Sequence, residues 1–163
     1  MDSPKAHYAL GFLRLSMGFL FLWAFLDKLF GLGFSTAADK SWLAGASPTA
    51  GFLKNATHGY FASSFQALSG SPVVDWLFMF GLFGLGVSLL LGIGLKIAAY
   101  TGSLLMILMW LALFPSSNNP ILDDHIIYLF ALISFLQLKA GHTLGLGKWW
   151  ENTSLVKKYP FLQ

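Results

Sequence analysis

The sequence predicts an all-α polytopic membrane protein, a bundle of four transmembrane helices with a long amphipathic extracytoplasmic loop between helices 1 and 2. The chain of 163 residues is 56% hydrophobic and only 10% charged, whereas soluble domains carry about 25% charged residues. Its apolar residues also form four long stretches, each of about 18 to 23 residues, which is enough to cross a bilayer core of about 30 Å. We therefore expect a single membrane domain, residues 1–163.

Charged and turn-forming residues separate the four stretches. Asp27 and Lys28 end the first, Gly92-Ile93-Gly94 makes a tight turn between the second and third, and Pro115 stops the third. The predicted spans are about residues 8–27, 73–95, 97–114 and 121–138, with a loop over 29–72 and a cytoplasmic tail over 139–163.

Small residues suggest how the second and third spans meet. Gly84, Ser88 and Gly92 recur at four-residue steps in the second span, and Ala98 and Gly102 begin the third. Small side chains at this spacing let helix backbones approach closely in lipid. The alternative is a generic glycine-rich membrane helix, but both interpretations predict an antiparallel hairpin of the two spans.

The loop over residues 29–72 is too long to be only a connector. Part of it has apolar residues at three- and four-residue steps, which predicts one amphipathic helix or two short helices around Gly59. The apolar positions are Phe52, Leu53, Ala56, Tyr60, Phe61, Phe65 and Leu68. Such a segment either anchors the chain at the membrane surface or folds over the mouth of the bundle as a lid.

The distribution of lysines predicts the orientation in the membrane, because cytoplasmic ends carry more basic residues. If the amino terminus is inside, the outer side holds only Lys28, Lys40 and Lys54. The inner side then holds Lys5, Lys96, Lys139, Lys148, Lys157 and Lys158. We therefore expect a multi-pass protein of the plasma membrane with both termini in the cytoplasm.

Several kinds of site are not indicated by the sequence. The chain has no cysteine, which excludes disulfides and thiolate metal ligands. The scattered basic residues predict no nucleic-acid partner. His7 and His125 fall at opposite ends of the bundle and do not suit a haem. The segment 141–148 is rich in glycine but lacks the spacing and the Ser or Thr of a phosphate loop. We see no haem, flavin or metal motif.

Arg14 lies about two turns inside the first span, where a charge is expensive and is a candidate for function. One interpretation is that its side chain extends to the cytoplasmic headgroups. The other is that it contacts an anion or a headgroup inside the bundle.

The outer end of the predicted bundle gathers more polar residues than any other part. Asp27 and Lys28 close the first span, Asp75 opens the second, and Asp123 and Asp124 open the fourth. Asn119-Pro120 is a suitable helix start, with Asn as the cap and Pro at the first helical position. The two aspartates would then interact favourably with the positive end of the helix dipole, and this stabilisation is a structural explanation for their presence.

That explanation does not extend to His125 and Tyr128, which share one helix face at positions i and i+3. Together with Asp123 and a neighbouring Lys28, they provide an acid, an imidazole, a phenol and an amine. Such a set can accept and donate protons, so we predict a proton-handling cluster at the outer end.

The chain also resembles a known family. The segments that carry the resemblance are Arg14-Leu-Ser-Met-Gly18, Trp23-Ala-Phe-Leu-Asp27-Lys28-Leu-Phe-Gly31-Leu-Gly33-Phe34, Ser47-Pro-Thr49, Trp76-Leu-Phe-Met79, Gly92-Ile-Gly94-Leu-Lys96 and Asn119-Pro120-Ile-Leu-Asp123-Asp124-His125-Ile-Ile-Tyr128. They are similar to the DoxX family, and most similar to its members described as membrane subunits of thiosulfate:quinone oxidoreductase (thiosulfate dehydrogenase, quinone). The resemblance covers about residues 8–150.

The resemblance implies a four-helix membrane bundle that passes electrons from thiosulfate to a membrane quinone, with tetrathionate as the product. It also implies a second oxidoreductase subunit as partner and a quinone as bound electron acceptor. By position, the implied catalytic residues are Asp27, Lys28, Asp123, His125 and Tyr128. The implied binding residues are Arg14 and Asn119, with no metal ligand.

Two other classes of function stay open. The chain could be a noncatalytic membrane module that binds a lipid or a small apolar ligand, or that scaffolds a partner oxidoreductase. A small transporter is the third hypothesis, disfavoured because the sequence shows no inverted repeat. Membrane lipids are expected partners in every case, and further copies of the chain are another candidate partner.

Overall fold

The computed structural model describes residues 3–117 and 119–163. Within these residues the chain forms helices and no strand, which confirms the all-α prediction. The α-helices are α1 (Pro4–Phe30), α2 (Ala50–Asn55), α3 (Ala62–Gln66), α4 (Pro72–Leu91), α5 (Leu95–Ala112), α6 (Asp124–Gln137), α7 (Gly147–Glu151) and α8 (Ser154–Lys158).

Helices α1, α4 and α5 are long and apolar enough to cross a membrane, so the chain is a membrane protein. Their 27, 20 and 18 residues correspond to lengths of about 40, 30 and 27 Å. Large apolar side chains such as Phe12, Phe80 and Leu104 are exposed on their outer faces. Water would solvate these side chains poorly, whereas lipid solvates them well.

Helix α6 is shorter than predicted. Its 14 residues span about 21 Å, less than a hydrocarbon core of about 30 Å. It begins at Asp124 because Asp123 is the N-cap, and its carboxylate accepts the backbone N–H groups of His125 and Ile126. The Asn119 side chain instead accepts the N–H groups of Ile121 and Leu122 in the preceding turn. The predicted helix start at Asn119-Pro120 is therefore corrected to Asp123-Asp124.

Glycines end two of the long helices. Gly31 follows α1 with φ of 68°, and Gly92 follows α4 with φ of 71°. Both lie in the left-handed region, which glycine enters without the steric cost of a Cβ atom. The N–H of Gly92 donates to Ser88 O at 2.8 Å. Only the three residues Gly92, Ile93 and Gly94 separate α4 from α5, so the two helices form an antiparallel hairpin.

The closest helix packing is between α1 and α4. A Cβ atom on Gly86 would lie 2.7 Å from the Leu22 backbone nitrogen, and one on Gly18 would lie 2.9 Å from Leu89 Cβ. Gly84, which the sequence placed in the α4–α5 contact, has no such neighbour within 4 Å. Gly86 is therefore the residue of α4 whose missing side chain permits a close approach, and its partner is α1.

Helices α1, α4, α5 and α6 share one hydrophobic core. Phe21 of α1, Leu85 of α4, Met106 of α5 and Phe135 of α6 all belong to the same buried cluster. Gly102 of α5 lies between helices, since a Cβ atom there would be within 2.8 Å of side chains from both α4 and α6. Although α6 is short, it packs as the fourth member of the group.

The fold has two ends. The loop end consists of the last turn of α1, the first turns of α4 and α6, the last turn of α5, and residues 31–71. The terminal end consists of the opposite helix ends and residues 138–163. At the loop end, Trp42 N donates to Lys28 O at 2.9 Å and His58 N donates to Ala112 O at 3.2 Å. The long loop therefore contacts the ends of both α1 and α5.

Candidate functional site

The candidate site at the loop end is built around a carboxylate–imidazole pair. Asp123 Oδ2 lies 2.9 Å from His125 Nδ1, and Asp123 Oδ1 accepts the His125 backbone N–H at 3.0 Å. Their side chains are only 13% and 20% exposed, respectively. The N-cap role of Asp123 therefore fixes the carboxylate that orients the imidazole.

The geometry of the pair determines which ring nitrogen of His125 carries the proton. An ionised carboxylate only accepts hydrogen bonds, so Nδ1 must carry the proton in this contact. In the neutral ring, Nε2 is then the atom with the lone pair. Nε2 makes no hydrogen bond to any of the residues that the structure describes. It is consequently the nitrogen that can exchange a proton with a ligand.

Tyr128 lies one helical turn beyond His125 and faces the core. Its ring meets the ring of Phe21 edge-on, with centroids 6.5 Å apart, and it packs against the hydrophobic core. The contact joins α6 to α1 below the Asp123–His125 pair. Tyr128 therefore lies on the core side of α6, one helical turn from His125.

Asp27 has another role in the structure. Its carboxylate is 1% exposed and accepts the backbone N–H groups of Phe34 and Ser35 at 3.2 and 2.9 Å. It also accepts the Ser35 hydroxyl at 2.6 Å. These bonds fold residues 31–35 back over the end of α1. Asp27 thus fixes the start of the long loop.

Lys28 is half-buried beside Asp27. The ion pairs among the described residues do not include it. The structure therefore pairs Asp123 with His125, places Tyr128 one turn further along α6, and places Asp27 and Lys28 at the end of α1. Among the described residues, no hydrogen bond or ion pair joins the pair to Asp27 or Lys28.

Arg14, at the terminal end, is fully buried and bonded to backbone carbonyls. Nε donates to Ala140 O at 3.2 Å, while Nη2 donates to Thr143 O and Leu144 O at 3.1 and 2.8 Å. Nη1 donates to Leu89 O, and to Leu90 O at 3.2 Å. These five carbonyls match the five N–H groups of a guanidinium. The side chain joins α1 to the end of α4 and to residues 140–144.

The segment that receives Arg14 has an unusual backbone. Lys139 and Leu144 have φ of 49° and 53°, a region that costs energy for residues other than glycine. Between and after them, Gly141, Gly145 and Gly147 pack on one another and on Gly92 so closely that a Cβ atom would collide. The glycine-rich sequence over 141–147 therefore forms the carbonyl-rich turn that binds Arg14.

Asp75 is a buried acid that the sequence analysis placed at the outer end but that is not among the predicted site residues. It is 6% exposed, and its Oδ1 accepts the hydroxyls of Ser47 and Thr49 at 2.8 and 2.5 Å. The role of Asp75 could have been predicted from the sequence. An acid in the first turn of a membrane helix needs hydrogen-bond donors, and Ser47-Pro48-Thr49 supplies two hydroxyls. Asp75 holds the middle of the long loop on α4.

Asn119 orders the turn before α6 through its bonds to Ile121 and Leu122 and touches no other predicted site residue through these bonds. Among residues 3–117 and 119–163, no three His, Cys, Asp or Glu side chains come together as a metal site would require. Comparison of the chain with protein-family models, with curated proteins and with solved structures finds no match.

Proposed function

We propose that the chain is a four-span, DoxX-like membrane subunit of a quinone-linked oxidoreductase of the thiosulfate:quinone type, in which His125 exchanges protons at the loop end. The observation that carries the proposal is the Asp123–His125 pair. A carboxylate that fixes the tautomer of a partly exposed imidazole is a typical arrangement for proton exchange. The electron donor and acceptor in this proposal, thiosulfate and a quinone, are taken from the family resemblance.

The four-span arrangement rests on the shared core. Helix α6 packs with the three long helices. Residues 119–123 before it and 138–140 after it lengthen the segment that can cross the membrane. We propose that all four helices cross the plasma membrane, with the loop end outside and both termini in the cytoplasm. The six lysines of the terminal end against three at the loop end support this orientation.

The surroundings of His125 fit an apolar ligand that arrives from the lipid. Ile121, Leu122 and Ile127 flank the pair and are 66%, 52% and 62% exposed. A quinone ring bound against this surface would present a carbonyl oxygen to a proton donor. Such a site combines an apolar wall with one or two polar groups, as small-molecule sites usually do.

In this proposal the chain handles protons, and the electrons come through the second subunit. Two thiosulfate ions joined by a new S–S bond to give tetrathionate release two electrons, and reduction of one quinone to quinol takes up two electrons and two protons. His125 Nε2 donates one proton, and Asp123 stabilises the imidazolium beforehand through Nδ1. Tyr128 and Lys28 are the candidate groups for the second proton.

A noncatalytic membrane module is the second candidate function, and a specific observation favours it. The buried charges Arg14, Asp27 and Asp75 are bonded to groups of the chain itself. Each therefore stabilises the fold without any ligand. In this candidate, the surface around His125 binds a lipid or another apolar ligand, or contacts a partner oxidoreductase.

The two functions differ in their response to His125→Gln. The purified chain in nanodiscs is titrated with a short-chain ubiquinone, and binding is followed by quenching of tryptophan fluorescence. Thiosulfate-dependent quinone reduction is then measured in membranes that contain the native complex. We expect His125→Gln to lower the rate about 100-fold, the usual contribution of one proton-transfer group. His58→Gln, which changes an exposed imidazole at the same end, is the matched control.

A catalytic role requires that His125→Gln reduce turnover while His58→Gln does not. If both variants turn over like the wild type, or if the wild-type complex reduces no quinone with thiosulfate, the proton-exchange role is excluded. Quinone binding that is equal in all three proteins, together with unchanged turnover, would instead favour the noncatalytic module.

A further inference from the structure

A groove at the terminal end is separate from the site around His125. It has a volume of about 750 Å³ and lies between the first turns of α1 and the segment after α6. Its polar lining includes His7, Tyr8, Lys139, His142 and Lys148. The groove is open on one side and is large enough for the headgroup of a phospholipid.

The groove carries an excess of positive charge. Lys139 and Lys148 both line it. The nearby acid is Glu151, whose Oε1 lies 3.5 Å from Lys139 Nζ and 3.0 Å from His142 Nε2. One carboxylate is thus shared between a lysine and a histidine, and Lys148 has no part in that contact. An anionic group would complement the positive charge that Glu151 does not neutralise.

The length of α1 and the residues that line the groove are compatible with a position at the membrane headgroups. Helix α1 has 27 residues and a length of about 40 Å, which exceeds a hydrocarbon core of about 30 Å. Its first turns, which hold His7 and Tyr8, therefore extend into the headgroup region. Tyr8 is half-exposed, and Leu138 and Leu144 beside it are exposed apolar side chains of the lining. A tyrosine between apolar and basic residues is typical of the membrane interface.

We propose that this groove binds the phosphate of an anionic phospholipid, with Lys139 and Lys148 as the groups that contact the phosphate. The lipid's acyl chains follow the exposed apolar surface at Leu138 and Leu144 into the bilayer. Basic pockets between membrane helices bind acidic headgroups in this way. The proposal does not depend on the proposed redox function, because it uses the opposite end of the molecule.

The test measures lipid binding to the purified chain by native mass spectrometry. The protein in detergent is titrated with phosphatidylglycerol and, separately, with phosphatidylcholine of the same acyl chains. We expect phosphatidylglycerol to bind more tightly, and Lys139→Gln with Lys148→Gln to weaken it about 30-fold, since each lysine near an acidic headgroup contributes roughly a factor of five. The same substitutions at Lys157 and Lys158, which are exposed, form the matched control and should change binding less than about twofold.

Further measurements distinguish the other outcomes. Lys139→Arg with Lys148→Arg should keep the preference, and thermal unfolding shows whether each variant is folded. Equal binding of both lipids, or a folded Gln variant that binds like the control, would overturn the proposal. Displacement of phosphatidylglycerol by millimolar inorganic phosphate would also overturn it, because the site would then recognise a free ion and not a lipid.

Discussion

Three charged side chains of the long helices are almost completely buried, and each bonds to groups of the chain itself. Arg14, Asp27 and Asp75 are 0%, 1% and 6% exposed. A charge removed from water costs several kcal/mol unless hydrogen bonds replace its hydration. Here backbone carbonyls, backbone N–H groups and hydroxyls replace it. The three residues therefore connect the membrane helices to the segments that follow or face them.

Arg14→Ala tests this conclusion at the scale of the residue. The substitution leaves five carbonyls without their donor; the bonds to Ala140 and Leu89 are buried and the other three are part-buried. Each buried unpaired group costs about 1–3 kcal/mol. Because part of the segment can relax, we expect a loss of at least about 3 kcal/mol in the free energy of unfolding. Thermal or denaturant unfolding in detergent measures it. Lys5→Ala on the same helix is the control.

Arg14→Lys refines the result. A lysine keeps the charge but offers three donors without the planar fork of a guanidinium. If the carbonyl contacts stabilise the fold, we expect the free energy of unfolding of Arg14→Lys to lie between those of the wild type and Arg14→Ala. A variant Arg14→Ala that unfolds like the wild type but no longer binds an anionic ligand would contradict the structural role and favour the binding role expected from the sequence.

The site residues show how far sequence reasoning reaches. The i, i+3 relation of His125 and Tyr128 was predictable, because helix periodicity alone places them on one face. The partners of Arg14 were not, since they are backbone carbonyls up to 130 residues away, and carbonyls carry no sequence signal. The N-cap was misplaced at Asn119 because two good cap residues, Asn119 and Asp123, lie within one short segment.

At the scale of the elements, the closest backbone approach between two of the long helices lies on one face of α4. The membrane helices and the turn at residues 92–94 follow from hydrophobicity and glycine. Hydrophobicity does not show which glycine of α4 packs against a neighbour, because Gly84 and Gly86 are only two residues apart in the same apolar stretch. Only the structure shows that Gly86 meets Leu22 of α1.

A matched pair of substitutions tests the α1–α4 contact. Gly86→Ala introduces a Cβ atom 2.7 Å from Leu22, and we expect a loss of about 1–3 kcal/mol from overpacking. Gly84→Ala meets nothing within 4 Å and should be neutral, or stabilising by about 0.5–1 kcal/mol, because alanine favours a helix. Unfolding of both variants under the same conditions gives the comparison. Equal effects would show that α1 and α4 do not approach closely.

At the scale of the whole molecule, the membrane topology depends on the short helix α6. Among residues 3–117 and 119–163, three helices are long and apolar enough for a span. If α6 also crosses, the tail lies on the same side as the amino terminus, and if it does not, the tail lies on the opposite side. The number of spans therefore determines where residues 139–163 are found.

The absence of cysteine in the sequence makes this question accessible to labelling. Single substitutions Lys5→Cys, Lys54→Cys and Lys157→Cys are expressed in the plasma membrane and treated with an impermeant thiol reagent. We expect only Lys54→Cys to react in intact cells, and the other two to react after permeabilisation. Reaction of Lys157→Cys but not of Lys5→Cys in intact cells would show that α6 does not cross the membrane.

The bonds of Arg14 also impose an order on biogenesis. Its donor belongs to α1, whereas Ala140 O follows 126 residues later in the chain. At about 5–20 residues per second, translation needs roughly 6–25 s to produce that acceptor. During this interval the guanidinium depends on water or headgroups, since a bare charge is not stable in hydrocarbon. The guanidinium therefore has its full set of carbonyl partners only after residues 140–144 have been made.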